Sequence, residues 1–221
     1  MFVMRKIMFN DKYKLTKAVL EGRKTMTRRI VSQDFLDKVK KYQEEYFANT
    51  LDYISMEDAI INMIGPERLF CNSFKIGEIV AIAQSYESIL CDLSISDIIR
   101  NEISDNHSGY KNKMFVKAEL MPHHIKITNI RVEHLQDISD DDCLREGVVK
   151  NTIGYYVEGL KCKDWEKESH IEMENGETLK LFPTPREAFA ALIDKVSGKG
   201  TWQSNPFVWV YEFEFELVDN I

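Results

Sequence analysis

The stretch "HIKITNIRVEHL", His124 to Leu135, changes phase half way along. Ile125 and Ile127 fall on one alternation, Ile130 and Val132 on the other, so no flat strand puts all four on one face. The break at Thr128-Asn129 predicts a bulge or bend, the device by which a sheet turns a barrel corner. A second run, "FVWVYEFEFEL" from Phe207, keeps its alternation. There Phe207, Trp209, Tyr211, Phe213 and Phe215 are expected on one face, with Glu212, Glu214 and Glu216 opposite. One bent strand beside one regular strand predicts a small curved sheet.

Shorter elements surround this pair. "KIGEIVAIAQSYE" predicts a turn at Gly77 and a buried strand from Ile79 to Ala83, "FVKAEL" another strand, and Thr25 to Ile30 the first. "KYKLTKAVLEG" reads as a short helix stopped by Gly22. "SQDFLDKVKKYQEEYF" sets Phe35, Leu36, Val39, Tyr42 and Tyr46 at helical spacing, and "SMEDAIINMIGP" runs from an N-cap at Ser55 to a stop at Gly65-Pro66. A short helix near Ile95 to Ile99 and a loop around Asn106 to Gly109 are expected next. "ISDDDCLREGV" is a short helix with Ser139 as N-cap and Gly147 past its end. In "TPREAFAALIDKVSG", Thr184 caps, Pro185 takes the first position and Glu187 completes a capping box, while Phe189, Leu192, Ile193 and Val196 form an apolar stripe. Strands fall mainly after residue 75 and no regular βαβ repetition occurs. The class is therefore α+β with a small curved sheet or barrel, not a Rossmann-type fold.

Composition narrows the function classes. The chain has 221 residues, a formal net charge of -7 and 44% hydrophobic residues, enough for one full core with insertions or for two small domains. No run of about 18 apolar residues exists to span a membrane, and the N-terminus lacks the apolar core of a signal peptide. Cys71, Cys91, Cys143 and Cys162 form no C-x-x-C pair, so zinc-ribbon and redox motifs are not expected. Reduced thiols in a cytoplasm are. The acidic balance disfavours sequence-blind binding to long nucleic acids, yet leaves room for one nucleotide or a short strand.

Against that acidic background, "EGRKTMTRRIVSQ", Glu21 to Gln33, gathers Arg23, Lys24, Arg28 and Arg29 beside Thr25 and Thr27. A strand over Thr25 to Ile30 puts Thr25, Thr27 and Arg29 on one face and turns Lys24 away. Lys24 and Thr27 meet only if a turn precedes the strand, which Gly22 permits. Asp140, Asp141 and Asp142 imitate a metal site, but acids at a helix start complement the dipole, so no metal is expected. Glu146 differs: in the last turn the dipole disfavours a negative charge, and burial there would suit a proton-transfer group. His123 and His124 point to opposite faces of a strand, and His107, His134 and His170 are scattered. "SGKGTW" lacks the spacing of a phosphate loop and reads as a helix stop and turn. Trp202, ahead of the last strand, is the better base-stacking candidate than Phe207 or Trp209, and Trp165 lies in a charged stretch.

Four blocks in order, "AVLEGRKTMTRRI", "KIGEIVAIA", "ITNIRVEHLQDISDDDCLREGV" and "TPREAFAALIDKVSGKGTWQSNPFVWVYEFEF", resemble the ASCH family, in particular its longer members from bacteria and their phages. The resemblance covers about residues 8–30, 74–87, 113–150 and 181–217. It implies one PUA-like domain over residues 1–221, a small β-barrel with flanking helices and helical insertions at about 31–73, 88–112 and 151–180. Small members of the family include an amidohydrolase that deacetylates N4-acetylcytidine with a lysine, a threonine and a glutamate. Lys24, Thr27 and Glu146 match them, so the resemblance implies acyl transfer without a cofactor. Thr27, or a water beside it, would attack the amide, Lys24 would carry the proton and Glu146 would orient the substrate amine or shuttle its proton. Arg23, Arg28, Arg29 and Trp202 would bind substrate, a nucleoside or short single-stranded RNA. "AIAQSYES", with Gln84, Tyr86 and Glu87, departs from the aromatic and Arg-Glu pair of many members, so contacts from that strand need not carry over. PUA-like domains also bind RNA, which makes a non-catalytic module for RNA or a modified nucleotide the alternative, and a ribonuclease the third reading.

Overall fold

The computed structural model describes residues 4–64, 74–91, 103 and 107–216 of the chain. It opens with strand β1 (Arg5–Ile7), a 3-10 turn (Asp11–Tyr13) and helix α1 (Leu15–Leu20). Asn10 caps the turn by accepting from the Lys12 amide, and Lys14 adopts left-handed backbone (φ 53°) between turn and helix. Gly22, at φ 71°, then reverses the chain into β2 (Met26–Ile30). Helix α2 (Gln33–Thr50) is capped by Ser32 and buries Phe35 and Val39. It packs on α3 (Met56–Ile64), whose Asp58 amide donates to Ser55 Oγ and whose Ala59 and Ile60 are buried.

Strand β3 (Ile79–Ile82) follows the Gly77 turn and leads to α4 (Tyr86–Leu90). Then come β4 (His124–His134), α5 (Asp140–Arg145), β5 (Val149–Asn151), β6 (Gly154–Lys161), β7 (His170–Glu172) and β8 (Thr178–Phe182). Helix α6 (Pro185–Val196), a single turn α7 (Thr201–Ser204) and β9 (Phe207–Glu216) complete the described chain. The class is mixed α+β, with two sheets.

The first sheet has five strands in the order β1-β3-β4-β9-β2 and is a curled half-barrel. All its pairs are antiparallel except β1 with β3. The register of β4 against β9 slips between Ile127 and Asn129, which is the bulge that the phase change at Thr128-Asn129 predicts. Trp209, Tyr211 and Phe213 on β9 pack against Phe35, Phe74 and Phe9, with ring centroids 5.3–5.7 Å apart. Val208 and Val210, on the other face, are buried too, so this strand has core on both sides. Phe215 keeps the alternation of Phe213 but, near the end of the strand, is 37% exposed.

Two other expectations are corrected. "FVKAEL" is not a strand but a pair of 3-10 turns, Lys113–Phe115 and Ala118–Leu120. Val116, Ala118 and Leu120 are buried while Lys117 and Glu119 are not, so the burial alternates as in a strand without a ladder beside it. Polar partners hold the backbone instead: Lys6 Nζ donates to the Met114 and Val116 carbonyls, and the Lys117 amide donates to Tyr86 Oη. Residues 151–180 are not a helical insertion. They build most of the second sheet, antiparallel, in the order β5-β6-β8-β7. Its hairpin carries the strongest signal for that, Asn175-Gly176 with Gly176 at φ 79°. Cys71, the Gly65-Pro66 stop, the helix near Ile95 to Ile99 and the start of the loop around Asn106 lie outside the described residues. No described helix is long and apolar enough to cross a membrane.

Candidate active site

β1 and β2 are the two edges of the half-barrel, and a cavity of about 640 Å³ opens beside them. Its walls are the segment Met8–Asp11 after β1, Lys24 and Thr27–Ile30, Lys113, Glu146, and the apolar stripe of α6. Arg29 Nη2 donates to the Met8 carbonyl (2.6 Å) and so ties one edge to the other.

The turn at Gly22 does what the sequence requires of it. The Lys24 amide donates to the Ala18 carbonyl (2.9 Å), wrapping the chain back over α1, and the Thr25 amide donates to the Arg145 carbonyl (3.0 Å), pinning it to α5. Lys24 is 2% exposed. Its Nζ donates to Glu146 Oε2 (2.6 Å) and to the Glu146 carbonyl (2.8 Å), and lies 5.9 Å from the centroid of Phe9. Gly147 (φ 105°) lets this happen. A Cβ there would meet Leu15 Cδ2 at 3.1 Å and Lys24 Cδ at 3.8 Å. Burial lowers the Lys24 pKa, and the nearby charges of Arg29 and Arg28 add to that against the pull of Glu146.

Glu146 is 4% exposed, at the C-terminal cap of α5. Its second oxygen accepts from Arg28 Nη1 (3.1 Å), so two cations hold it. Arg28, with a fully buried side chain, also donates from Nε and Nη2 to Glu133 Oε1 (3.0 and 2.6 Å) and from Nη2 to Asp142 Oδ2 (3.0 Å). Arg131 pairs with Glu133 (2.9 Å), Asp142 (2.6 Å) and Glu212, and Arg145 with Asp142 (3.4 Å) and Glu212 (2.7 Å). Four cations (Lys24, Arg28, Arg131, Arg145) thus share four carboxylates (Glu133, Asp142, Glu146, Glu212). Burial opposes the Arg28 charge, but Glu146, Glu133 and Asp142 outweigh it and raise its pKa. Burial also raises the Glu212 pKa, and its partners Arg145, Asn129 and Arg131 more than reverse that.

Two cavity groups stand outside this balance. Thr27 is 5% exposed, and its hydroxyl makes no hydrogen bond within the described residues. Arg29, exposed at the cavity mouth, has no carboxylate within ion-pair distance among them. The arrangement offers a hydroxyl, a lysine held by a carboxylate and an unneutralised guanidinium at one surface, a set suited to acyl transfer or to holding an anion.

Of the sequence-derived residues, Lys24, Thr27, Glu146, Arg28 and Arg29 line this cavity; Arg23 and Trp202 do not. Arg23 pairs with Glu21 (2.7 Å) and Glu158 (3.2 Å) on the surface. Trp202 stands edge-on to Phe189 (6.2 Å), with the Arg186 guanidinium 5.7 Å from its ring centroid, one layer behind the cavity wall. Trp165 is 68% exposed. Lys113 enters unannounced: it lines the cavity and pairs with Asp11 (2.7 Å). Asp142 is more than a helix-start acid, since three arginines converge on it. Glu133, Arg131 and Glu212 gave no sequence signal beyond being charged residues in long strands. No group of three His, Cys, Asp or Glu side chains suited to a metal ion occurs among the described residues.

Fold and site together define a mixed α+β protein with an ion-paired cavity beside the edges of a curled sheet. No family model matches the chain, and neither curated proteins nor solved structures provide a match.

Proposed function

We propose that the chain is an amidohydrolase of ASCH type on a PUA-like barrel, removing an acyl group from a modified nucleoside such as N4-acetylcytidine. One observation carries the reading: Lys24 and Thr27 of one short motif and Glu146, 122 positions beyond Lys24, line one cavity of about 640 Å³. That volume is within the range of small-ligand sites, roughly 300–1,000 Å³.

On this reading Thr27 Oγ1 attacks the amide carbonyl carbon and its proton passes to neutral Lys24 Nζ. The carbonyl electron pair moves to oxygen, where the Arg29 guanidinium stabilises it. As the C–N bond breaks, the exocyclic amine takes the proton from Lys24 and leaves. Water then hydrolyses the Thr27 ester, releasing the carboxylic acid and restoring the hydroxyl. Glu146 fixes the Lys24 amine through the 2.6 Å contact, and Arg28 fixes Glu146.

Purified protein incubated with N4-acetylcytidine should release cytidine and acetate. Lys24→Ala, Thr27→Ala and Glu146→Ala should each lower turnover by about 100-fold or more. Equal activity in all four proteins would sink the proposal. Because Lys24 must be neutral and its pKa is lowered, kcat/KM should rise with pH through a midpoint below that of an ordinary lysine, about 10.4.

The second reading, a non-catalytic module for a nucleotide or short RNA, is favoured by Arg29, which reaches the cavity without a carboxylate partner. Saturable binding of N4-acetylcytidine with no product over long incubation would select it.

A further inference from the structure

A second cavity, of about 530 Å³, lies at the seam between β1 and β2 and meets the first at Met8, Arg29 and Ile30. β1 forms one wall, the first turns of α2 the other, and the inner face of β9 the floor. Arg29 pairs with Trp209 across β2 and β9, and Thr27 with Tyr211, so these side chains share that inner face. Phe35 from α2 closes on Trp209 with ring centroids 5.5 Å apart, and Phe74 on Tyr211 at 5.3 Å. The floor is therefore aromatic and apolar.

The rim carries the opposite chemistry. Arg5 comes from β1, Arg29 from β2 and Lys38 from α2. The Arg5 guanidinium lies 4.4 Å from the centroid of Phe74 and pairs with Glu78 (3.5 Å), which fixes it at the edge of the floor. Arg29 and Lys38 have no carboxylate within ion-pair distance among the described residues. Lys6 also lines the cavity, but its ammonium donates to the Met114 and Val116 carbonyls. Asp34 is the one lining carboxylate among the described residues, so cations outnumber it even without Lys6.

That combination selects a ligand. A guanidinium presents a planar fork that matches a carboxylate. Burying an apolar body against the floor is favourable, whereas a small inorganic anion would lose hydration there without replacing it. A cleft of about 480 Å³ between the 3-10 turn, β6 and α6 offers no such choice: no arginine lines it, and its positive charge comes from lysines, Lys12, Lys14, Lys163 and Lys195 among them exposed.

We infer that the seam cavity binds a monocarboxylate with an apolar body, aliphatic or aromatic, its carboxylate held by the rim cations and its body on the aromatic floor. Such binding needs no turnover at Thr27 and so is independent of the acyl-transfer reading.

The full chain, isotope-labelled for NMR, is titrated with benzoate, cyclohexanecarboxylate, benzamide and inorganic phosphate while the Trp209 indole and Arg29 amide signals are followed. Both carboxylates should shift these signals saturably, with benzamide and phosphate at least about tenfold weaker. Lys38→Glu should weaken benzoate at least about fivefold, and Arg5→Met at least about tenfold. Lys163→Glu makes the same charge change as Lys38→Glu, but in the lysine cleft, and should bind benzoate like the wild type. Lys38→Glu alters an exposed helix position, so it decides the matter should Arg5→Met melt early. Benzamide or phosphate binding as tightly as benzoate would overturn the inference. So would equal loss in Lys38→Glu and Lys163→Glu, or a Trp209 signal that neither carboxylate shifts.

Discussion

The molecule concentrates positive charge in two places and treats it oppositely. Four cations meet four carboxylates around Lys24 and Arg28, which are buried, while Arg131 and Arg145 close the network on its solvent side. In the cleft of Lys12, Lys14, Lys163 and Lys195, exposed lysines face one concavity with no carboxylate of their own. A buried ion must be neutralised where it stands, since taking it from water costs several kcal/mol, whereas an exposed one keeps its hydration. Paired charge therefore builds the first site, and its unpaired groups, Thr27 and Arg29, are left to meet a ligand. In the second, the exposed lysines keep their hydration and need no such partner.

Breaking the balance should have the largest effect. Arg28→Met removes one cation from contact with Glu133, Asp142 and Glu146, and the loss should be about 3–5 kcal/mol of unfolding free energy in urea titrations. A loss below about 1 kcal/mol would mean that the network is not load-carrying. Gly159→Ala strikes the second region through its backbone. The collision with the Lys12 carbonyl and the positive φ should cost roughly 1–3 kcal/mol of unfolding free energy in the same titrations, as β6 moves off the turn. The smallest effect should come from Glu168→Gln. Lys180 and the Lys163 amide hold the Glu168 carboxyl down at about 2. Since that folded pKa is depressed, its contribution is present above the unfolded value of about 4.3 and fades as pH falls through the folded one. The variant's melting temperature should accordingly lie slightly below wild type at neutral pH and converge with it near the acid end.

Much of the first sheet and its helices was legible, because their signals are local. The phase break at Thr128-Asn129, the caps at Ser32, Ser139 and Thr184 and the turn at Gly22 each lie within a few residues of what they control. Lys24, Thr27 and Glu146 could be singled out for the same reason, from a short motif and a misplaced helix-end acid. The neutralising network could not. Arg28 meets Glu133, Asp142 and Glu146 more than a hundred positions away, and which of Arg28 and Arg29 turns inward depends on how the sheet curls. Residues 113–120 read as a strand because buried 3-10 turns can alternate like one, and the strands within residues 151–180 are hard to read because their main local signal is a single turn, Asn175-Gly176.

The central claim is that the hydroxyl left without a partner beside the charge network is the nucleophile, and one comparison tests it. Thr27→Val removes the unpartnered hydroxyl and keeps the shape, so turnover of N4-acetylcytidine and thermal unfolding can be measured on the same two proteins. We predict that the variant melts within about 1 °C of the wild type or slightly above it, because it removes a buried hydroxyl that has no partner, and loses at least about 100-fold in kcat/KM. Undiminished cytidine release by Thr27→Val would contradict the claim.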